Sequence, residues 1–288
     1  MDQRRIGVLG GSGLYEMEGF EGREEVALET PFGEPSDAFV TGTLQGREIV
    51  FLSRHGRGHR KNPSEINYRA NIWGMKRLGV EFLVAISACG SLREDIEPGH
   101  FVVIDQHIDR TKTRDATFFE GGLVGHVMFA DPITAPLADV LARAAESAGA
   151  KVHRGGTYIC MEGPAFSTRA ESNLYRSWGA DVIGMTNLTE AKLAREAEIA
   201  FATLALATDY DCWHDVHGDV TVEEVIRTLN RNVGLAKETV RRLCADFPEK
   251  LENPHRGELA YALLTAGDAI SVDARERLEL IVGPYLDG

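Results

Sequence analysis

The chain has 288 residues, 43% of them apolar and 26% charged, with a formal net charge of −13 at pH 7. That length and composition describe an ordinary globular chain able to bury a sizeable core. The acidic balance excludes ordinary duplex binding, which needs an electropositive face to displace counterions, so no nucleic-acid partner is expected and an anionic ligand must be met by a local basic cluster.

Short runs of Val, Ile, Leu and Phe alternate with longer helical patterns along the chain, which predicts an α/β fold: one mixed sheet flanked by helices. Residues 5–9 form the first strand. Strands at 25–29, 38–44 and 48–52 follow so closely that antiparallel hairpins are expected. Asn62-Pro63-Ser64 opens a helix running to Leu78, stopped by Gly79. Strands are expected at 81–87, 101–105, 157–161, 182–184 and 199–208, with helices at 134–148, 168–178 and 188–197.

From Thr221, VEEVIRTLNRNVGLAKETVRRLCADF keeps apolar residues three and four apart, so it reads as one long amphipathic helix. Asn253-Pro254 breaks it, and residues 257–286 read as two further helices, the second capped by Ser271 or Asp273. No repeat or Gly/Ser linker intervenes. A single domain over 1–288 is expected, with a core at about 5–247 and a helical appendage at about 255–288. Cys89, Cys160, Cys212 and Cys244 are dispersed without a Cys-x-x-Cys pair, which fits a reducing cytoplasm. With no apolar signal core in MDQRRIGVLGGSG and no membrane-length apolar run, a cytoplasmic protein without a membrane partner is expected.

Several stretches could carry chemistry. Gly10-Gly11-Ser12-Gly13 follows the first strand, where glycines admit close backbone approach and Ser12 adds a hydroxyl; a tight turn and an anion loop read equally well. It lacks the third glycine of a dinucleotide fingerprint and the Lys-Ser/Thr of a Walker loop. Ser53-Arg54-His55-Gly56-Arg57-Gly58-His59-Arg60-Lys61 concentrates cationic donors in an acidic protein. Arg54 and His55, nearest the strand end, are placed to donate to an oxyanion. His55 and His59 suggest no third metal ligand, so anion binding is preferred over metal binding.

Ala85-Ile86-Ser87-Ala88-Cys89-Gly90-Ser91 is a strand running into small residues, which let a ligand lie against the backbone at the strand's carboxyl end. Cys89 has no local activating partner and reads as a small filler. Glu162-Gly163-Pro164-Ala165-Phe166-Ser167-Thr168-Arg169 turns into a helix, and Gly184-Met185-Thr186-Asn187 ends another strand. Phe166 could stack on a flat ring and Met185 lie against a sugar, though both residue types are commonly plain core. In Asp209-Tyr210-Asp211, acids at alternate positions share one side of an extended backbone. Crowded acids resist double ionisation, leaving one to donate a proton while the other accepts.

Taken in order, GGSG, SRHG, SACGSL, EGPAFSTRAES, MT and ATDYDCW resemble the motifs of the trimeric purine nucleoside phosphorylase superfamily, and most closely those of its 5′-methylthioadenosine phosphorylase branch. The resemblance spans about residues 6–247. It implies phosphorolysis: inorganic phosphate attacks C1′ of a nucleoside, an oxocarbenium-like state forms and a purine departs, in purine and methionine salvage. Inorganic phosphate is then a co-substrate and no metal or organic cofactor is required. By correspondence, Ser12, Arg54, His55, Ser87 and Thr186 hold phosphate, with backbone contact from Ala88. Phe166 stacks near the purine and Met185 packs on the ribose.

Asp209 and Asp211 then address the base as the catalytic pair. A carboxylate accepts from the adenine N6 amino group, and a protonated carboxyl donates to N7 as the bond breaks. Asp209 is expected to face N7, with Asp211 fixing the amino group and its neighbour's protonation. Val222, Val225 and Ile226 correspond to an apolar 5′-methylthio pocket, although they could simply be the helix's core stripe; such a pocket discriminates by only about 1–3 kcal/mol. His126 corresponds to a histidine that reaches into the neighbouring subunit's site, implying a homotrimer or a dimer of trimers. Asn187-Leu188-Thr189 departs from the family's Thr-Val-Pro, and this segment and the C-terminal helices lie near where base specificity and the 5′ pocket could be modified. A methylthioinosine or 6-oxopurine phosphorylase is the alternative, and a non-catalytic nucleoside-binding module the more distant one.

Overall fold

The structure is a computed structural model describing residues 5–11, 13–14, 16–214 and 222–286, of which the side chains at 224, 225 and 229 are not described. In chain order the strands are β1 (Arg5–Gly10), β2 (Phe20–Val26), β3 (Phe39–Leu44), β4 (Arg47–Ser53), β5 (Val80–Ser91), β6 (Phe101–Val103), β7 (Gln106–Arg110), β8 (Val152–Arg154), β9 (Thr157–Met161), β10 (Val182–Gly184) and β11 (Ala200–Asp209). The helices are α1 (Tyr68–Arg77), α2 (Ala135–Ser147), α3 (Arg169–Ser177), α4 (Asn187–Glu196), α5 (Val222–Ala245) and α6 (Val272–Val282). The strands form one mixed sheet with the main order β2-β3-β4-β1-β5-β10-β9-β7.

Four strands position everything that follows. β4, β1, β5 and β11 are parallel neighbours, and their near-continuous apolar runs are what a sheet covered on both faces requires. β2, β3 and β4 form the antiparallel hairpins that their short spacing demands. β5 is long enough to serve two partners. Its residues 82–90 pair with β11, and Gly90 and Ser91 also pair with β10 in the antiparallel sense, so the sheet branches at Gly90.

Several boundaries differ from the sequence expectation for identifiable reasons. The second strand lies at Phe20–Val26 rather than 25–29, and β6 ends at Val103. Helix α1 begins at Tyr68, not near Asn62, because the Asn62 side chain accepts from Ser64 and Glu65 N–H to close a local turn. Asn67 is the true cap, accepting from Ala70 N–H. In the tail, residues 258–261 make only a short 3₁₀ turn, whereas α6 forms with Ser271, not Asp273, as its cap. Leu278, Ile281 and Val282 of α6 join the same apolar cluster as Ile6 and Leu204, so the appendage is packed into the core.

Candidate active site

At the carboxyl ends of the four parallel strands the register brings distant motifs level. Gly10 pairs with Ser53, Ser87 with Ala205, Ala88 with Leu206 and Gly90 with Asp209. Ends of parallel strands are where open α/β sheets leave a crevice for ligands. Ala88 is exposed between buried Ser87 and buried Cys89, so the backbone there faces open space. Burial pushes the Cys89 thiol well above its ordinary value, consistent with a filler. Ser12 lies outside the described residues.

One end of this row is cationic. The Arg54 backbone N–H donates to Gly10 O at 3.0 Å, fixing it to β1. Its guanidinium is buried, donates to Ile86 O at 3.0 Å, and makes a two-point ion pair with Glu190, Nη2 to Oε2 at 2.9 Å. Burial works against the Arg54 charge, and Glu190 more than offsets it. Arg54 carries five N–H groups, so this clamp leaves donor capacity for a ligand. Glu190 sits in the first turn of α4, whose buried N-cap, Thr186, makes no side-chain capping bond. The α4 N-terminus and the Thr186 hydroxyl therefore converge with Arg54 as donors suited to an anion.

His55 departs from expectation. Its Nδ1 lies 2.9 Å from the Lys61 carbonyl oxygen, which can only accept, so Nδ1 carries the proton. Burial, then the Arg54 charge, lowers the imidazole pKa to about 4, so at neutral pH Nε2 bears a lone pair. In this tautomer His55 offers an oxyanion a lone pair rather than the N–H that the sequence suggested.

The other end is acidic. A bulge between Ala207 and Asp209 ends β11, and Asp209 Oδ2 accepts from the Thr208 hydroxyl at 2.7 Å. Asp211 does not continue the strand: its φ of 51° turns the backbone, and its N–H donates to Asp209 Oδ1 at 2.8 Å. The acids therefore share a tight turn rather than one face of an extended strand. The Ser167 hydroxyl lies 2.8 and 2.7 Å from the two oxygens of buried Asp211. Gly90 makes room, since a Cβ there would come within 3.0 Å of Asp209 Oδ1.

Between the ends, Arg114 locks the turn that carries Met185 and Thr186. Its guanidinium donates to Met185 O at 3.0 Å, to the Tyr68 hydroxyl at 2.5 Å and to the Glu162 carbonyl. The Glu162 carboxylate accepts from Ser64, Lys112, Thr113 and Arg114. Burial would raise its pKa, but these donors hold it at about 2. Sequence reasoning missed Glu190, Ser167 and Arg114 as working residues. No local signal could have found Glu190, because its pairing with Arg54 spans 136 residues.

The remaining expected residues are exposed or bonded elsewhere. Phe166, Val222 and Ile226 are 46%, 62% and 50% exposed, so Val222 and Ile226 are not a core stripe; the Val225 side chain lies outside the described residues. His126 is exposed on a separate loop, its N–H bonded to Ala262 O at 2.8 Å. Asn187 points into the core. It is fully buried, accepting from Thr203 at 2.9 Å and bonded to the His107 ring at 2.8 Å. Among the described residues, no cluster of three metal-ligating side chains occurs, and no helix is long and apolar enough to cross a membrane.

Comparison with known proteins gives consistent matches. Residues 5–245 match the phosphorylase superfamily. The chain is 58% identical to an S-methyl-5′-thioadenosine phosphorylase of Geobacter sulfurreducens over 98% of this chain and 99% of that one. It is 55% identical to the protein of that name from Chloroflexus aurantiacus, over 99% of each. Among solved structures, a methylthioadenosine phosphorylase from an antarctic soil metagenomic library superposes with a TM-score of 0.92 at 46% identity, covering 98% of this chain and 99% of that one. The Schistosoma mansoni methylthioadenosine phosphorylase in complex with adenine gives 0.80 at 36% identity, over 84% and 91%.

Proposed function

The chain belongs to the phosphorylase superfamily, and from that premise we propose that it catalyses phosphorolysis of S-methyl-5′-thioadenosine to adenine and 5-methylthioribose 1-phosphate. It is a pentosyltransferase. The observation that carries this reading is the row of strand ends with a clamped buried arginine at one end and a two-acid turn at the other. An anionic nucleophile and a base that must take up a proton need those opposite environments.

Phosphate is held by Arg54, Ser87, Thr186, Ser12, His55 and the backbone at Ala88. Met185 lies under the ribose, and Phe166 against the purine. Asp209 faces N7 and donates a proton as the glycosidic bond breaks, while Asp211, fixed by Ser167, sets its orientation and meets the N6 amino group. A carboxylate at N6 favours 6-aminopurine over a 6-oxo group, which would offer it another acceptor. Phosphate is itself the nucleophile and the leaving base is activated by protonation, so the chemistry asks for no metal or organic cofactor.

The 5′-methylthio group takes the exposed apolar side of α5 at Val222, Val225 and Ile226, with His126 of a neighbouring protomer closing the site in a homotrimer. The apolar residues left uncovered at this end support that arrangement. A cytoplasmic location fits the four free cysteines. The test is a substrate panel: methylthioadenosine, methylthioinosine, adenosine and inosine, each with and without phosphate. Phosphate-dependent adenine release, fastest from methylthioadenosine, is expected. Release that ignores phosphate, or faster turnover of the 6-oxopurines, overturns the assignment.

A further inference from the structure

We propose that His55 meets phosphate as a hydrogen-bond acceptor, so that the site selects an oxyanion carrying a proton, hydrogen phosphate, over one that carries none, sulfate. The inference rests on the phosphorolytic reading, in which His55 lines the phosphate site.

The loop fixes the ring by two bonds to one residue. Lys61 N–H donates to the His55 carbonyl at 3.1 Å, and the His55 ring donates from Nδ1 to the Lys61 carbonyl at 2.9 Å. Gly56 and Gly58, at φ 71° and 76°, let the chain reverse between those residues, and the Gly56 N–H to Ser53 O bond of 3.0 Å tightens the turn. A carbonyl cannot donate, so the clasp assigns the tautomer: hydrogen on Nδ1, lone pair on Nε2. Among the described residues Nε2 has no protein hydrogen bond.

A second proton is opposed on every side. The ring is largely buried, the Arg54 guanidinium adjoins it, and the His59 ring stacks on it with centroids 4.2 Å apart. Only the Lys61 carbonyl favours the cation, and it does not prevail.

Hydrogen phosphate and sulfate have the same charge and nearly the same shape at neutral pH. Arg54 and the N–H groups at the α4 N-terminus can only donate and cannot tell them apart, and the Thr186 hydroxyl can turn to serve either ion. A lone pair can: the P–O–H of hydrogen phosphate donates to Nε2, whereas every sulfate oxygen opposes it with another lone pair. Sites built to pair with a ligand's hydroxyl reject an analogue lacking it by as much as about 10⁴-fold; a single partly open contact should give about 30-fold or more.

The experiment measures, on the intact protein at neutral pH, the inhibition constant of sulfate against phosphate and the KM of phosphate, with methylthioadenosine saturating. The ratio is expected to be about 30 or more in the wild type. In His55→Asn the shorter amide keeps the N–H at the Nδ1 position, so the clasp to Lys61 survives and nothing stands at Nε2. There the phosphate KM should rise about tenfold while sulfate inhibition changes less than about threefold, collapsing the ratio. His55→Gln, which places its amide oxygen near Nε2, should restore part of it, and thermal melts confirm that each variant is folded. A wild-type ratio near unity, an unchanged ratio in His55→Asn, or an unchanged phosphate KM in that variant overturns the proposal. Absence of phosphate-dependent turnover in the wild type would instead remove the phosphorolytic reading.

Discussion

The two ends of the site are built on different principles. At the end proposed to hold phosphate, Arg54 and Glu190 are 3% and 1% exposed and are completed within one chain. At the end proposed for the nucleoside, Phe166, Val222 and Ile226 stand open and His126 belongs to a separate loop. A buried ion tolerates little misplacement of its partner, since an uncompensated charge in the interior costs several kcal/mol, so it is assembled from strand ends and a helix terminus. Apolar cover is non-directional and can be supplied by surface helices, loops or a neighbouring protomer. The division predicts that substitutions at one end should leave the other end's constants nearly alone.

The largest expected effect is at the acidic end. Asp209→Asn removes the group proposed to deliver the proton to the departing base, and kcat for methylthioadenosine should fall by about 10²–10⁴-fold. Steady-state kinetics should find the KM for phosphate within about threefold of wild type; a parallel rise would show the two ends to be coupled. Next is Glu190→Gln, which leaves the Arg54 charge buried without its counter-ion. Chemical denaturation should show a loss of about 3–5 kcal/mol, and the phosphate KM should rise while the KM for nucleoside holds.

How much of this was legible in the sequence follows the same division. β1, β4, β5 and β11 announce themselves as apolar runs, and their ends carry the glycine and hydroxyl motifs, so the ligand crevice could be placed. β7 could not be foreseen: QHIDR is polar, largely exposed and terminates the sheet's main path. The Arg54 partner was hidden because Glu190 lies 136 residues away, and local spacing says nothing at that range. Alternation along a strand misled at Asp211, where a left-handed φ ends the extended backbone. Periodicity put Val222 and Ile226 on one helix face, but it cannot say what that face meets. The Asn187 segment drew notice by departing from the family's Thr-Val-Pro, and the fold turns Asn187 into the core beside Thr203.

A third, smaller effect concerns the approach to the open end. Glu196 accepts from Phe118 N–H at 2.6 Å and Thr117 Oγ1 at 2.7 Å, anchoring the segment that leads to His126. Burial raises its pKa to about 7 despite those donors. The folded chain therefore holds this proton where the unfolded chain, near an ordinary carboxyl value, has lost it. The contribution is fully present below the unfolded value, declines as pH rises to about 7 and is flat above, an amplitude of about 3–4 kcal/mol. Glu196→Gln keeps an acceptor but cannot ionise. Denaturation at acidic and mildly alkaline pH should find the variant gaining on wild type as pH rises; a pH-independent difference would place the ionisation elsewhere.

The smallest effect separates orientation from chemistry within the acidic end. Ser167 has one proton for two Asp211 oxygens at nearly equal distance, so it limits the carboxylate's rotation while leaving acceptor sites unused. Ser167→Ala removes that restraint but not the Asp211 N–H bond to Asp209, which belongs to the backbone turn. Asp209 stays in place, so kcat/KM for methylthioadenosine should fall by only about ten- to thirtyfold, the lower part of the worth of one hydrogen bond to a charged group, about 1.5–2 kcal/mol. Combined with Asp211→Asn, the two losses should be less than additive, because Ser167 acts through the carboxylate that the second change removes. Full additivity, or a phosphate KM that moves with Ser167, would mean that Ser167 touches a ligand itself and that the boundary between the two ends lies nearer the sugar.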